Sequence, residues 1–386
     1  MRVGIVGGGQ LARMMMESAS ALGIQCVLLA ESESDAATQF CTEVIIGSPH
    51  DPTAMQSLAD RCDVVTFDHE LVDLEILAEL AASGTLVRPR PTSLLFAVDK
   101  AAMRVTLGAS GLPMPRFVLV EPGTDADLGA LGDDLGWPVV IKAARGGYDG
   151  RGVYIVDDPN EAARVVAELH AHNTTALLEE HVVIISELAA LVARNPSGDF
   201  VTWPVVETAQ VGGVCREVLV PGSVSPELEA RARSIAERVA DVVGVEGVMA
   251  VELFETSEGL VINELAMRPH NSGHWTQDGS VTSQFQNHLR SVLDLPLGST
   301  EMTAAHVASV NVFGSDTPFD LDDGLPTALL NAEAHVHLYG KSSRPGRKLG
   351  HVTATGADAL EVRRQAWKSA IALGTPVPDQ IREVQP

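Results

Sequence analysis

The chain has 386 residues, 45% of them hydrophobic and 20% charged, which suits two or three globular domains. Its 27 basic residues are outnumbered by 51 acidic ones, a formal net charge of −24 that excludes nucleic acid and anionic membrane as expected partners. No apolar run approaches the roughly 20 residues that span a bilayer, so small-molecule substrates held by local basic clusters become the expectation.

The segment MRVGIVGGGQ lacks the long apolar core of a secretory signal and enters a strand directly. Strand-like runs at Val3 to Val6, Cys26 to Leu29, Val44 to Ile46 and Val64 to Phe67 alternate with helical patterns, the first from about Leu11. This βαβ alternation predicts an α/β protein that begins with a parallel sheet. The prolines of RPRPTS, Arg88 to Ser93, mark the end of that region. Within it, Gly7-x-Gly9-x-x-Ala12 follows a strand and opens a helix, and Glu31 stands 24 residues beyond Gly7. Two readings fit. One is a dinucleotide fingerprint with Glu31 on a ribose, which would make a dehydrogenase; the other is a tight turn whose helix N-terminus faces some anion. Cys26, Cys41, Cys62 and Cys215 show no close pairing and no CxxC, and read as free thiols in a reducing cytoplasm.

The helical stretch LLFAVDKAAMRVTLGASG leads to strands at Arg116 to Val120, Val139 to Ala143, Gly152 to Val156 and Ala176 to Glu179. The loop ARGGYDGRG, Ala144 to Gly152, joins two of them and carries four glycines in nine residues. Gly147, Gly150 and Gly152 let successive backbone N–H groups face phosphate oxygens. It is not a Walker A loop, and Tyr148, Asp149 and Arg151 are unusual in a plain turn. Lys142 ends the neighbouring apolar strand, either as a snorkelling edge residue or as a phosphate contact. In LLEEHVVIISEL, Glu179 and Glu180 close a strand, with Val182 and Glu187 beyond them. A strand edge of this kind can read adenine, and a second carboxylate can hold ribose hydroxyls.

Residues Ile185 to Glu217 read as extended and antiparallel, and Ser225 to Val243 as a helix with Leu228, Ile235, Val239 and Val242 on its apolar face. The strands Gly247 to Glu255 and Leu260 to Leu265 follow, joined at Thr256-Ser257-Glu258-Gly259. A three-residue loop, Ser257 to Gly259, would set Glu252 opposite Glu264 with about 5 Å between their Cβ atoms. Such a pair needs a divalent cation or a shared proton, unless the register is off by one and one carboxylate faces solvent. Mg²⁺, which takes one or two carboxylates plus water and nucleotide phosphates, suits the pair, and Asn263 can add an amide oxygen. The next stretch, NELAMRPHNSGHWTQ, spaces His270 and His274 by four residues. Pro269 and Gly273 argue against a helix there, which removes the geometry of a zinc pair. From about Leu295 a third region mixes short strands such as Ala334 to Tyr339 with a helix near Ala359 to Leu373. It contains the basic cluster KSSRPGRK, with Lys341, Arg344, Arg347 and Lys348.

GGGQLARM, GGYDGRG, NELAMRPHNSGHWT and HLYGKSSRPGRKLGH, in this order, resemble the ATP-grasp superfamily and, within it, the N5-carboxyaminoimidazole ribonucleotide synthetases. The resemblance covers essentially the whole chain, and its last three motifs are the specific ones. It implies an ATP-grasp fold with an N-terminal Rossmann-like domain (1–90), an ATP-grasp domain (91–295, small subdomain about 115–180) and a small C-terminal domain (296–386). It further implies a ligase of purine biosynthesis that joins bicarbonate to the 5-amino group of 5-aminoimidazole ribonucleotide through carboxyphosphate, using ATP and Mg²⁺ or Mn²⁺. By motif match, Lys100 and Lys142 are implied as phosphate contacts, Glu179 and Val182 as the adenine edge, and Glu187 as the ribose ligand. Glu252 and Glu264, with Asn263, are implied as the metal site. Tyr148, Asp149 and Arg151 are expected to order over bicarbonate and the aminoimidazole, with Arg268, His270 and His274 around carboxyphosphate and the acceptor. Lys341, Arg347 and Lys348 are expected on the 5′-phosphate, and Glu70, Gln10 and Leu11 around the aminoimidazole. Where the family carries an Asn and a His, this chain has Thr208 and Gln210, and Gln210 stands at a nucleotide contact. Ala189 replaces a common Ser, Asp68 a common Glu and Met267 a common Pro. The family suggests a cytoplasmic homodimer. A formate-dependent formyltransferase on the same scaffold is the nearest alternative, and a non-catalytic nucleotide sensor a more distant one.

Overall fold

A computed structural model describes residues 1–147, 152–316 and 319–384. The first sheet contains β1 (Arg2–Val6), β2 (Gln25–Ala30), β3 (Val44–Ile46) and β4 (Val64–Phe67), all parallel in the order β3-β2-β1-β4. Its strands are apolar on both faces because both are covered. One face packs on the helices Pro52–Ala59 and Leu74–Ala82 through Met55, Leu58, Leu77 and Leu80. The other packs on the helix Gln10–Ala21, joined there by Phe285 and Leu289 of the helix Gln284–Val292, which enters from far along the chain. His288 of that helix ties the first sheet to the third. Its Nδ1 accepts the Val248 N–H at 3.1 Å, so the proton sits on Nε2 and is donated to the Thr66 hydroxyl at 2.7 Å.

The second sheet is antiparallel and holds β5 (Phe117–Val120), β6 (Val139–Ala143), β7 (Val153–Val156) and β8 (Ala176–Glu180) in the order β5-β8-β6-β7. The helices Leu128–Leu135 and Pro159–Ala171 share its core. Each starts at an aspartate N-cap, Asp127 or Asp158, that accepts from first-turn amides.

The third sheet is antiparallel throughout. Its strands are β9 (Ser186–Arg194), β10 (Phe200–Thr202), β11 (Val206–Val211), β12 (Val214–Val220), β13 (Gly247–Thr256), β14 (Gly259–Ala266), β15 (His306–Phe313), β16 (Ala334–Leu338) and β17 (Lys348–Gly356). They run β14-β13-β9-β11-β12-β15-β17-β16, with β10 on β9. The β12–β15 pairing, Glu217 opposite Val310, carries one continuous sheet into the C-terminal region. That region therefore joins the central one edge to edge, through backbone hydrogen bonds, as well as through its helix Ala359–Ala372.

The β13–β14 hairpin corrects the expected turn. Thr256 pairs with Gly259, so the loop has two residues, Ser257 and Glu258, rather than three. Continued without interruption, that register would set Glu252 against Asn263. A bulge between Glu252 and Leu253 on one strand, with Asn263 as the extra residue on the other, shifts it by one and restores Glu252 opposite Glu264. The facing carboxylates are present through two compensating departures from the simple pattern.

Candidate active site

A cavity of about 680 Å³ opens between the second sheet and the β13–β14 end of the third. Its walls include Lys100, Lys142, Gly147, Glu179, Val182, Glu187, Gln210, Glu252, Asn263 and Glu264, and toward the first sheet Glu70, Arg268, His270 and Lys348. Tyr148, Asp149, Gly150 and Arg151 lie outside the described residues. Gly152 has φ +71°, a conformation that favours glycine, and its carbonyl accepts the Ala143 N–H at 2.8 Å, anchoring that end of the glycine loop to β6.

Strand alternation explains which residues of β6 face the cavity. Val139 and Ile141 point into the small-sheet core, so Val140 and Lys142 face the cavity. Glu179 pairs across from Val140 and shares that face. Lys142 Nζ lies 2.7 Å from Glu179 Oε2, while the Arg104 guanidinium holds the other carboxylate oxygen. Lys142 Nζ also donates to Asn263 Oδ1 at 3.1 Å, and Arg104 Nη2 to the Asn263 carbonyl at 2.9 Å. Burial pulls the Lys142 ammonium down, with Glu179 acting against it. Burial would raise Glu179, but Arg104 and Lys142 outweigh it and hold the carboxyl below its ordinary range. The Glu179 carboxylate is thus committed to two cations.

On the opposite wall, Lys100 Nζ donates to Glu264 Oε1 at 2.7 Å, and Asn263 Nδ2 approaches Glu252 Oε2 at 3.4 Å. Burial, then the charges of Glu264 and Glu187, push Glu252 up to about 7, and burial alone raises Glu187 to about 7. Two facing carboxylates on a partly exposed cavity wall, their side chains 28% and 38% exposed, are the electrostatic situation a divalent cation relieves. Among the described residues no group of three His, Cys, Asp or Glu side chains forms a closed metal cage. Two carboxylates with the Asn263 side chain beside them, open toward a nucleotide-sized cavity, fit Mg²⁺ better than zinc.

The remaining predicted residues divide into two groups. Glu70 accepts the Met267 N–H at 3.1 Å and Arg268 Nε at 2.6 Å, fixing the loop after β14 against the first sheet. His270 Nδ1 meets the Ser272 hydroxyl at 2.8 Å, and its Nε2 lies 3.4 Å from Glu252 Oε1. His274 departs from the expected acceptor contact. It is 2% exposed, accepts from Gln284 Nε2 at 3.2 Å, and packs at tilted and edge-on angles among Phe285, Tyr339 and His351 behind the cavity wall. Leu11 is likewise a core residue of the first sheet, because the helix turns it inward. Lys341 holds the Gln10 side-chain oxygen, Arg347 braces the Ser342 carbonyl at 3.1 Å, and Lys348 reaches the cavity wall. Burial, Arg347 and Lys348 all lower the Lys341 ammonium, so the three cations share one locus, with Asp68 and Asp35 acting the other way.

The glycine fingerprint of the N-terminus is filled from within. The N–H of Gly9 donates to Asp68 Oδ2 at 2.6 Å and that of Ala12 to Asp68 Oδ1 at 2.9 Å. The helix N-terminus already holds a carboxylate where a pyrophosphate would sit, and a Cβ on Gly9 would collide with it. This removes the dehydrogenase reading.

Buried imidazoles make the fold acid-sensitive. Burial lowers His270 and His288 to about 3, and His274 and His351 fall well below the ordinary value. A depressed imidazole contributes stability that is complete above about 6.5 and lost as pH falls and the unfolded chain takes up protons. Glu187 and Glu252 act in the opposite direction between about 4.5 and 7, because their folded values are raised. Four imidazoles outweigh two carboxyls, so stability should fall by on the order of 3 kcal/mol per pH unit between about 6 and 5. Calorimetric melting of the metal-free protein should show Tm dropping steeply from pH 7 to 5. A Tm that is flat or rises over this interval would contradict the burial of these histidines.

Comparison with known proteins bears on the same regions. Family models match residues 1–98 (ribonucleotide synthetase preATP-grasp domain), 105–285 (ATP-grasp domain) and 308–365 (phosphoribosylaminoimidazole carboxylase C-terminal domain). The N5-carboxyaminoimidazole ribonucleotide synthase of Mycobacterium tuberculosis is 45% identical over 373 residues, 95% of this chain and 86% of that protein. The chain belongs to the N5-carboxyaminoimidazole ribonucleotide synthase family. The member from Corynebacterium ammoniagenes is 42% identical over 381 residues, 95% of this chain and 91% of that protein. Among solved members, the Thermotoga maritima enzyme superposes with a TM-score of 0.85 at 33% identity, covering 96% of this chain and 98% of that one. The Aspergillus clavatus enzyme, in complex with ADP and 5-aminoimidazole ribonucleotide, gives 0.87 at 30% identity, covering 97% and 98%. Members of this synthase family are ATP-grasp ligases of purine biosynthesis, which displaces the formyltransferase and sensor readings. Among the described residues no helix is long and apolar enough to cross a membrane.

Proposed function

We propose that the cavity binds ATP, bicarbonate and 5-aminoimidazole ribonucleotide and forms N5-carboxyaminoimidazole ribonucleotide, ADP and phosphate. The observation that carries this is the pair Glu252 and Glu264, set opposite one another beneath a cavity whose other wall presents Lys142. A bicarbonate oxygen attacks the γ-phosphorus as the bond to ADP breaks, giving carboxyphosphate. The 5-amino nitrogen then attacks its carbonyl carbon, phosphate leaves, and the amine loses a proton. Glu252 and Glu264, with Asn263, would hold Mg²⁺, which supplies charge neutralisation to the phosphates during transfer. Lys142 and Lys100 contribute the positive charge this chain itself brings to those oxygens. Val182 and backbone groups at the end of β8 serve adenine, Glu187 serves the ribose hydroxyls, and Gln210 lies beside them on the same wall. Arg268 and His270 face the acceptor side, and Tyr148, Asp149 and Arg151 of the glycine loop shield carboxyphosphate from water. The Ser272 N–H approaches His270 Nδ1 at 3.4 Å, which puts the ring proton on Nε2, toward Glu252. In this state His270 is a donor, which leaves Asp149 as the group that takes the amine proton.

The 5′-phosphate falls to Lys341, Arg347 and Lys348, with Gln10 and Glu70 bordering the same region. Lys341→Ala should raise KM for the ribonucleotide about tenfold or more while leaving KM for ATP within about twofold, since it removes one charge-assisted phosphate contact. Steady-state kinetics varying each substrate would check this, and an equal rise in both constants would overturn the assignment. A cytoplasmic homodimer, with domain divisions near residues 90 and 295, belongs to the same proposal. Dependence of ADP release on bicarbonate, with none on formate, tests the reaction class.

A further inference from the structure

The buried group behind the phosphate wall has an uneven charge balance. Arg104 is 1% exposed and Glu179 2%, and Glu179 bridges Arg104 to Lys142. Taken alone, Lys142 and Glu179 would form a neutral pair 2.7 Å apart, with the lysine's field largely cancelled at the cavity. Arg104 binds the far oxygen of Glu179 through Nε, so the three groups carry one net positive charge instead of none. Its second arm reaches the carbonyl of Asn263, the residue inserted at the β14 bulge, and so steadies the register that places Glu264 opposite Glu252. Arg104 does not line the cavity. It lies in the helix Lys100–Ala109, whose first residue, Lys100, does.

We infer that Arg104 is a positioning residue for the nucleotide phosphates, acting through Glu179 to leave the charge of Lys142 uncancelled. This rests on the cavity being the ATP site. The desolvation that lowers Lys142 makes the compensation more necessary, since a neutral lysine would attract no phosphate.

The test is ADP binding by calorimetry in the full chain, with melting curves alongside. Arg104→Met should weaken ADP about tenfold, the effect of losing one charge from a shielded site. Arg104→Lys should recover most of that loss. The double variant Arg104→Met/Glu179→Gln restores one net positive charge and should bind within about threefold of the wild type. A structural role alone would not be rescued by removing a second buried partner, so a double variant no tighter than Arg104→Met overturns the inference, as does unaltered binding in Arg104→Met. Should Arg104→Met fail to fold, Glu179→Gln is compared with the double variant and must bind ADP more tightly, having one more positive charge; equal binding overturns the inference. Failure of the wild type to bind ADP would instead sink the nucleotide assignment of the cavity.

Discussion

Glu264→Ala is expected to reduce ADP release by about 10³-fold or more, because it removes half of the carboxylate pair proposed to face the transferring phosphoryl group. The backbone dictates the choice of residue. The Asn263 bulge turns Glu264 toward the cavity, and its neighbour Leu265 enters the core. Glu252 cannot replace it, since Glu252 approaches the site from the other strand and already meets Asn263 and His270. The loss should appear without loss of fold. Removing one of two like charges relieves their repulsion, and Lys100, freed from Glu264, lies at the cavity wall where it can be solvated. Tm should therefore be unchanged or slightly raised, with Mg²⁺-dependent stabilisation by ADP lost. Glu264→Asp keeps the charge but draws it back by one methylene, and should recover only part of the rate. ADP release in Glu264→Ala within tenfold of the wild type would contradict the metal assignment.

The largest effect on stability is expected outside the cavity lining, at Glu217. This carboxylate is 1% exposed on β12, bound by Arg363 through Nε and Nη2 and by Trp367 Nε1 at 2.7 Å. Both partners belong to the helix Ala359–Ala372, so one buried anion fastens that helix to the strand where the third sheet passes into the C-terminal region. Glu217→Ala leaves a cavity, an orphaned indole N–H and an arginine without its counter-charge, at a cost of about 3–5 kcal/mol. Denaturant melts should report the loss. Activity per folded molecule at low temperature should stay near wild type, because none of these groups lines the cavity. A destabilisation below about 1 kcal/mol would mean that the triad is weaker than its burial implies.

Local periodicity made most of the architecture readable. Val139 to Ala143 and the helix Pro226–Val243 fall where alternation and helical spacing place them, since each buries one continuous face. The facing glutamates were readable too, although the short turn and the bulge cancel one another, and no residue-counting rule distinguishes that from a three-residue loop without a bulge. What stayed hidden was long-range. The fingerprint at Gly7 is locally complete, and the carboxylate that occupies it comes from Asp68, far along the chain. Arg104 sits four residues after Lys100 in a helix, and no local pattern marks it out. Only the return of β8 and β14 to the same place buries it against Glu179 and Asn263. The position of His274 behind the wall depends on β17 bringing His351 beneath it. The continuity of the third sheet at Glu217 and Val310 joins segments that no local pattern links.

The central claim is that this cavity couples ATP cleavage to carboxylation of an aminoimidazole nitrogen. Incubating the purified protein with ATP, Mg²⁺, 5-aminoimidazole ribonucleotide and ¹³C-bicarbonate, and following ADP and the ¹³C carbamate signal together, tests it most directly. The two should rise one to one, and omitting either the ribonucleotide or bicarbonate should suppress ADP release. ADP formed at full rate without the ribonucleotide, or with no ¹³C carbamate appearing, would contradict it.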